Sequence, residues 1–245
     1  MSHPKEDAGP RGNRLDEVDA LRGLAALAVG YFHMTLSLLE QGQPLSPGEG
    51  TLMWLFTGAL DSGKIAVVVF FAISGLIVPV SLSRGGDAPV RRFLFSRFFR
   101  LYPPYWLSLV LCLLLVPPVA EGAYSPGSVL ANLSMVQGFL GFRDINGVAW
   151  TLQIELVFYA LCLGLFLVGR LDSARAQLAC LVFFLLCALV LAALRFHLAR
   201  KLPVALPLAL AVMFFGCLWR GAVVERATEA RRLLRPALLA WAVLL

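Results

Sequence analysis

The chain has 245 residues, of which 59% are apolar and only 15% charged, and its mean hydropathy is +0.79. Soluble domains contain about 45–50% apolar and about 25% charged residues, so the composition excludes an ordinary soluble domain and indicates a polytopic membrane protein. The net charge of +6 does not indicate nucleic-acid binding. The arginines lie in short clusters between apolar runs, as in the cytoplasmic loops of membrane proteins, so we expect a lipid bilayer and no nucleic acid as partner.

Six apolar runs approach the length of about 20 residues that a membrane-spanning helix needs. They cover residues 20–39, 65–82, 101–119, 148–168, 178–196 and 202–219. A seventh run, 236–245, would rise about 15 Å, half of a hydrocarbon core of about 30 Å. We expect it to be a span that is cut short, with a surface-lying helix as the alternative. The sequence thus predicts an all-α transmembrane bundle of six to seven spans, with a polar tail at 1–19 and the membrane domain at 20–245.

The basic residues orient this bundle. Five arginines lie near the loop between the second and third predicted spans: Arg84, Arg91, Arg92, Arg97 and Arg100. By the positive-inside rule this loop and the N-terminus, which carries three basic residues, are cytoplasmic. Segment 129–142 is short for a span and is interrupted by polar residues. We interpret it as re-entrant or surface-lying, which keeps the arginine-rich loop 220–235 in the cytoplasm.

The five cysteines all lie inside apolar runs: Cys112, Cys162, Cys180, Cys187 and Cys217. They have no C-x-x-C spacing and no histidine at a ligand spacing. We interpret them as small hydrophobic residues and expect neither a disulfide framework nor a metal site.

Four polar side chains fall at or within predicted spans, where an ionisable group costs several kcal/mol unless it is paired or hydrated. They are Arg22, His33, Ser74 and Glu155. Arg22 and His33 lie eleven residues apart, hence on one helix face and about 16 Å apart along the axis. The predicted helix ends place His33, Ser74 and Glu155 about 14, 13 and 12 Å below the outer membrane edge. These three residues are therefore expected to converge.

Each of these residues also has a structural interpretation. A lone histidine such as His33 commonly packs helices together, and the Ser-Gly pair at Ser74 is typical of a close contact between membrane helices. Arg22 and Asp19, three residues apart, are spaced as an ion pair that anchors the helix at the interface. Glu155 needs a partner at its depth whether its role is structural or catalytic.

The segment RRFLFSRFFRLYPPYW, residues 91–106, interleaves arginines with phenylalanines. On a helix, the aromatic rings would enter the bilayer surface while the arginines face lipid headgroups or a phosphate-bearing ligand. The alternative is that the arginines only set the topology. We expect Pro103 and Pro104 to end this segment before the third span.

Four stretches, in this order, resemble the membrane-bound acyltransferase-3 family of bacterial O-acyltransferases. VDALRGLAALAVGYFH is similar to the first-helix signature, with Arg22 and His33 on its arginine and histidine. VVVFFAISGLIV is similar to the second-helix Ser-Gly pattern. RFLFSRFFRLYPPYW places Arg97 and Arg100 on the arginine pair before a Tyr-Pro turn, and VAWTLQIELVFYAL places Glu155 on the family glutamate. FFGCLW is similar, more weakly, to a glycine-containing helix of the family.

The resemblance, which covers about residues 15–220, implies an enzyme of the bacterial inner membrane, and the basic residues predict that its N-terminus is in the cytoplasm. It implies transfer of an acyl group, commonly acetyl, from cytoplasmic acyl-CoA to a hydroxyl of a glycan, a lipid-linked glycan or another hydroxylated acceptor. No permanently bound cofactor is implied. The family's bundles have about ten helices of about 20 residues each, so the chain is expected to be C-terminally incomplete. Thr151 stands where the family more often has serine.

The resemblance also implies roles for the donor-binding residues. Arg22, Arg97 and Arg100 would hold the CoA phosphates at the cytoplasmic mouth through charge-assisted hydrogen bonds. The pantetheine arm has a reach comparable to the distance from Arg22 to His33, so the thioester would arrive at the imidazole.

His33 would then be the general base on the acceptor hydroxyl, with a transient acyl carrier as the alternative. Glu155 would orient the imidazole and stabilise its cationic form. Ser74 and the backbone near Gly75 would donate hydrogen bonds to the oxyanion. Two other functions stay open at this point: a proton-coupled transporter, in which His33 and Glu155 relay protons, and an inactive truncated relative.

Overall fold

The computed structural model describes residues 11–40, 46–83, 86–115 and 124–244, which are mostly helical and contain no strand. The α-helices of the described residues are α1 Arg11–Glu40, α2 Pro47–Met53, α3 Ser62–Ser83, α4 Pro89–Leu115, α5 Pro126–Leu133, α6 Trp150–Leu167, α7 Ala174–Leu198, α8 Ala205–Trp219 and α9 Thr228–Leu244. Two π-helical turns, Trp54–Ala59 and Arg220–Val224, follow α2 and α8. The all-α prediction is confirmed.

Five helices within the described ranges are long and apolar enough to cross a membrane: Ser62–Ser83, Pro89–Leu115, Trp150–Leu167, Ala174–Leu198 and Ala205–Val224. They correspond to the second to sixth predicted spans. The first predicted span, 20–39, lies in α1, whose apolar part Gly23–Leu38 is shorter than the others. α1 also begins at Arg11, inside the segment predicted as a polar tail.

The expected helix end at Pro103 and Pro104 is wrong, because α4 runs through both prolines. Each proline lacks an N–H and leaves the carbonyl four residues earlier without its helical donor. Membrane helices tolerate this, because the hydrocarbon interior makes any wider loss of backbone hydrogen bonds far more costly. Segment 129–142 contains only the end of the short helix α5 and a series of turns, as expected of a segment that does not span.

Residues 1–73 form the first of two compact units. In its capping box, Ser46 Oγ accepts a hydrogen bond from the Glu49 backbone, and the Glu49 carboxylate accepts one from the Ser46 N–H at 2.8 Å. These hydrogen bonds, chiefly the one from the Ser46 backbone, lower the pKa of Glu49. Phe32 of α1 packs on α3 at Gly63, where a Cβ atom would lie 2.6 Å from the ring. An alanine at position 63 would therefore require the Phe32 ring to move.

Asp61 caps the start of α3. Its carboxylate accepts a hydrogen bond from the Lys64 N–H at 3.2 Å and forms an ion pair with the Lys64 ammonium group. The side-chain contact with Lys64 is the main reason that the pKa of Asp61 is lowered. The cap explains why the helix begins a few residues before the predicted span 65–82.

Residues 74–245 form the second unit, whose core is aromatic and closely packed. Phe214 of α8 stacks on Phe184 of α7 and meets Phe158 of α6 edge-on, with ring centroids 5.9 and 5.4 Å apart. Cys162 and Cys217 are buried within this unit, as expected of cysteines that act as small hydrophobic residues.

The backbones of α3 and α8 touch at Gly75. A Cβ atom at Gly75 would lie 1.9 Å from the Met213 carbonyl oxygen and 3.1 Å from the Gly216 Cα. Only glycine permits so close an approach. The glycines of the ISGLIV and FFGCLW stretches are therefore the two sides of one helix crossing.

Candidate functional site

Glu155 lies in the second turn of α6 and is the centre of a polar cluster in the second unit. One of its oxygens, Oε1, accepts hydrogen bonds from Ser74 Oγ at 3.3 Å and from the Tyr159 hydroxyl at 2.6 Å. Tyr159 lies four residues after Glu155, so both side chains are on one face of α6. The expected meeting of Ser74 with Glu155 is thus present in the structure.

Ser74 and Gly75 contact different neighbours. The Ser74 hydroxyl donates to Glu155, whereas the Gly75 backbone is covered by the Met213 carbonyl of α8. The backbone at Gly75 lies inside a continuous helix, and the Met213 carbonyl occupies the position that a side chain would take. The expected oxyanion roles of this backbone and of the Ser74 hydroxyl both stay predictions.

Arg97 is buried among α3, α4 and α6, with only 7% of its surface exposed. Its Nη2 donates a hydrogen bond to Ser81 Oγ at 2.8 Å. The guanidinium carbon lies 5.4 Å from the centroid of the Phe93 ring and 5.3 Å from that of Tyr159, so two rings flank the cation. Of the two environments expected for this arginine, lipid headgroups are not what it faces, because rings on two helices enclose it; the phosphate-bearing ligand stays a prediction.

The hydrogen-bonding capacity of Arg97 is mostly unused. A guanidinium has five N–H donors. Within the described part of the chain, Nε is buried without an acceptor, and no carboxylate lies within ion-pair distance. Arg100 lies one turn further along α4 and is half-buried, whereas Arg91 and Arg92 are exposed.

His33 and Arg22 belong to the first unit. Both lie in the single helix α1, as the sequence predicts, but the side chain of Arg22 is outside the described residues. The His33 side chain is exposed, and its ring meets Phe32 edge-on with centroids 5.7 Å apart. The expected convergence of His33 with Glu155 stays a prediction.

The sequence patterns indicated no role for Tyr159, Phe93 or Ser81. Helical spacing alone carried a signal for two of them: Tyr159 follows Glu155 by one turn, and Ser81 follows Ser74 by about two turns on the same face. Phe93 carried no such signal, because one phenylalanine among several in α4 cannot be distinguished without the position of α6.

A second polar network holds the start of α6. The Asp144 carboxylate accepts hydrogen bonds from Gln137 Nε2 at 2.7 Å and Gln153 Nε2 at 3.2 Å, and Gln153 Oε1 accepts one from the Gly138 N–H. The Asn132 carbonyl accepts a further bond from a tyrosine of α4. These hydrogen bonds therefore hold the turns before α6 in place. Gln153, which belongs to this network, lies two residues before Glu155.

A cavity of about 110 Å³ lies at the other end of this unit. Its polar lining includes Ser83, which donates to Asp172 at 2.9 Å, and Arg220, which donates to Glu225 at 2.9 Å. Arg220 also donates to the Leu76 carbonyl of α3 at 2.6 Å. These polar groups are partnered within the protein.

Comparisons with known proteins agree with the resemblance. Residues 15–245 match the sequence model of the acyltransferase-3 family, described as an acyltransferase domain. The chain is 28% identical over 177 residues to Nodulation protein 10 of Rhizobium leguminosarum bv. viciae, which covers 63% of this chain and 44% of that protein. No solved structure gives a significant match. Since the family model covers nearly the whole sequence and the helices are apolar and membrane-spanning in length, the chain belongs to the acyltransferase-3 family of membrane acyltransferases.

Proposed function

We propose that the protein transfers an acyl group, such as acetyl, from cytoplasmic acyl-CoA to a hydroxyl of a glycan or lipid-linked glycan. The proposed location is the bacterial inner membrane, with the N-terminus in the cytoplasm. The observation that carries the proposal is the buried Arg97, whose guanidinium has an unpaired Nε and lies beside the hydrogen-bonded pair of Tyr159 and Glu155.

The state of Arg97 favours an anionic ligand. A buried cation without an anionic partner is costly, and an orphaned buried donor in a native protein requires an explanation. The phosphates of CoA would supply the missing acceptors, because guanidinium and phosphate form charge-assisted and often bidentate hydrogen bonds. We propose that Arg97, together with Arg100 and Arg22, binds this part of the donor.

The acyl transfer itself needs a base and a charge partner. In the proposed step the acceptor oxygen attacks the thioester carbonyl, its proton passes to the His33 imidazole, and a C–O bond forms. The C–S bond then breaks, and the proton moves from the imidazolium to the leaving CoA thiolate. Glu155 would stabilise the imidazolium, as the carboxylate of a hydrolase triad does, and Ser74 would donate to the oxyanion.

The test measures thiol release. Purified protein in lipid nanodiscs is incubated with acetyl-CoA and DTNB, with and without candidate glycan acceptors, and mass spectrometry identifies the acylated product. We expect acceptor-dependent release of CoA, and a loss of about 10²- to 10⁴-fold in His33→Ala, the range of general acid–base catalysis.

His197→Ala is the matched control, because His197 is also exposed and also meets a preceding phenylalanine edge-on, at 5.8 Å. A His33→Ala protein that transfers acetyl as fast as the His197→Ala protein would refute the catalytic assignment. In a separate experiment the protein is reconstituted into liposomes. Movement of a substrate across the liposome bilayer without thiol release would instead indicate a transporter.

A further inference from the structure

Tyr159 contacts both halves of the proposed site. Its hydroxyl donates to Glu155 Oε1 at 2.6 Å, and its ring lies 5.3 Å from the guanidinium carbon of Arg97. The same ring meets Phe93 edge-on, with centroids 5.7 Å apart. Only 5% of the Tyr159 surface is exposed, so the ring is held on several sides.

The ring of Tyr159 helps to fix the plane of the Arg97 guanidinium. Aromatic faces attract guanidinium groups through the ring quadrupole and through stacking. Here the Phe93 ring comes from α4 and the Tyr159 ring from α6, while Ser81 Oγ of α3 accepts the hydrogen bond from Nη2. Contacts from three helices thus hold the guanidinium in one orientation. A phosphate of acyl-CoA would then accept hydrogen bonds from the remaining N–H groups without rearrangement.

The hydroxyl of Tyr159 fixes the carboxylate of Glu155. A donor–acceptor distance of 2.6 Å lies in the range of a charge-assisted O–H···O⁻ hydrogen bond, which is stronger than a neutral one. The second donor to the same oxygen, Ser74 Oγ, is longer at 3.3 Å. Tyr159 is therefore the principal group that orients this carboxylate within the second unit.

We propose that Tyr159 is a positioning residue with two separable actions: its ring, with that of Phe93, holds Arg97 ready for the donor, and its hydroxyl holds Glu155 ready for the transfer. This inference rests on the proposed acyl-CoA-dependent function. Tyr159 would thus connect the binding of acyl-CoA at Arg97 with the acyl transfer at Glu155, because it contacts both residues.

Two substitutions separate the two actions. Tyr159→Phe keeps the ring and removes the hydroxyl, so kcat should fall about tenfold or more, while the Kd and the KM of acetyl-CoA stay within about twofold. Phe93→Leu keeps an apolar side chain and removes the ring, so the Kd of CoA should rise about three- to tenfold with little change in kcat. Tyr159→Leu should show both effects.

The experiment measures CoA binding by isothermal titration calorimetry and turnover by DTNB, on protein in nanodiscs. Phe95→Leu is the control for Phe93, because Phe95 lies on the same helix and is 60% exposed. Tyr102→Phe is the control for the lost hydroxyl, which in Tyr102 donates to the Ser134 carbonyl at 3.1 Å. A purely structural role would lower the thermal stability without separating kcat from Kd.

The outcomes distinguish this inference from the proposed function. If wild-type protein transfers acetyl but Tyr159→Phe behaves like Tyr102→Phe, or Phe93→Leu binds CoA like Phe95→Leu, the positioning role is refuted and the proposed function stands. If wild-type protein binds CoA but releases no thiol, the proposed function fails, and the ring action is still decided by the CoA affinities of Phe93→Leu and Tyr159→Leu. Wild-type protein that binds no CoA overturns both.

Discussion

Replacing Gly75 by alanine tests the helix crossing that supports the site. The added Cβ would lie 1.9 Å from the Met213 carbonyl oxygen and 2.8 Å from its carbonyl carbon. Both atoms belong to the backbone of α8, so no rotation of a side chain relieves the clash. To restore an ordinary contact of 3.4 Å, the two helices must separate by roughly 1.5 Å.

This separation has an energetic and a functional consequence. Overpacking of this kind costs about 1–3 kcal/mol, against a gain of about 1 kcal/mol from replacing glycine by alanine in a helix. Because the clash involves backbone, we expect a net loss of about 2 kcal/mol, which lowers the Tm of a chain of this size by about 4–8 °C. The displacement would also break the bond from Ser74 to Glu155, which is already 3.3 Å long.

The assay is thermal unfolding of purified protein. It is monitored with a thiol-reactive dye that reports exposure of the buried Cys162 and Cys217. Gly164→Ala on α6 is the matched control, because a Cβ at Gly164 has no atom within 4 Å. That variant should be as stable as wild type or more so. If Gly75→Ala unfolds at the same temperature as Gly164→Ala, the backbones of α3 and α8 at Gly75 and Met213 are not close enough to exclude a methyl group.

Two further predictions concern other contacts. Arg220→Leu removes the hydrogen-bond donor to the Leu76 carbonyl, which lies near Pro79, a residue of α3 that has no backbone N–H to donate. It should lower stability by about 1–3 kcal/mol, whereas Arg226→Leu, on the exposed turn that follows, should have little effect on the melting curve. Asp61 has a lowered pKa because of Lys64, so its contribution to stability is present above its ordinary pKa and disappears as the pH falls through the lowered one. Asp61→Asn should remove this part of the pH dependence of Tm, and an unchanged acid-side slope would contradict the capping role.

Much of the fold follows from hydropathy, but the course of α4 does not. The apolar runs predicted the second to sixth spans because the hydrocarbon core demands a minimum length of apolar helix. Pro103 and Pro104 were expected to end a helix, since that rule reflects helices in water. In lipid, where a broken helix loses its backbone hydrogen bonds without compensation from water, the continuous helix prevails.

The candidate site was predictable only where it depends on helical spacing and depth. Those two quantities bring Ser74 to Glu155, and the structure contains that contact. The environment of Arg97 depends on which face of α4 meets α6, which is tertiary information. The sequence pattern therefore made Arg97 a candidate for binding lipid headgroups or a phosphate-bearing ligand, but it could not predict that the rings of Phe93 and Tyr159 enclose the guanidinium.

The adjacent positions of Ser74 and Gly75 explain how a membrane site of this kind keeps its geometry. Between membrane helices the hydrophobic effect supplies no driving force, so their separation is set by van der Waals contact and by hydrogen bonds. A 3.3 Å hydrogen bond alone tolerates sliding, but a backbone contact that excludes even a methyl group does not. Gly75 fixes the distance of α3 from α8, and one residue earlier the helix presents Ser74 to Glu155. The small residue and the polar residue are thus needed as a pair, because the hydrogen bond has a defined length only where the helix that carries its donor cannot move.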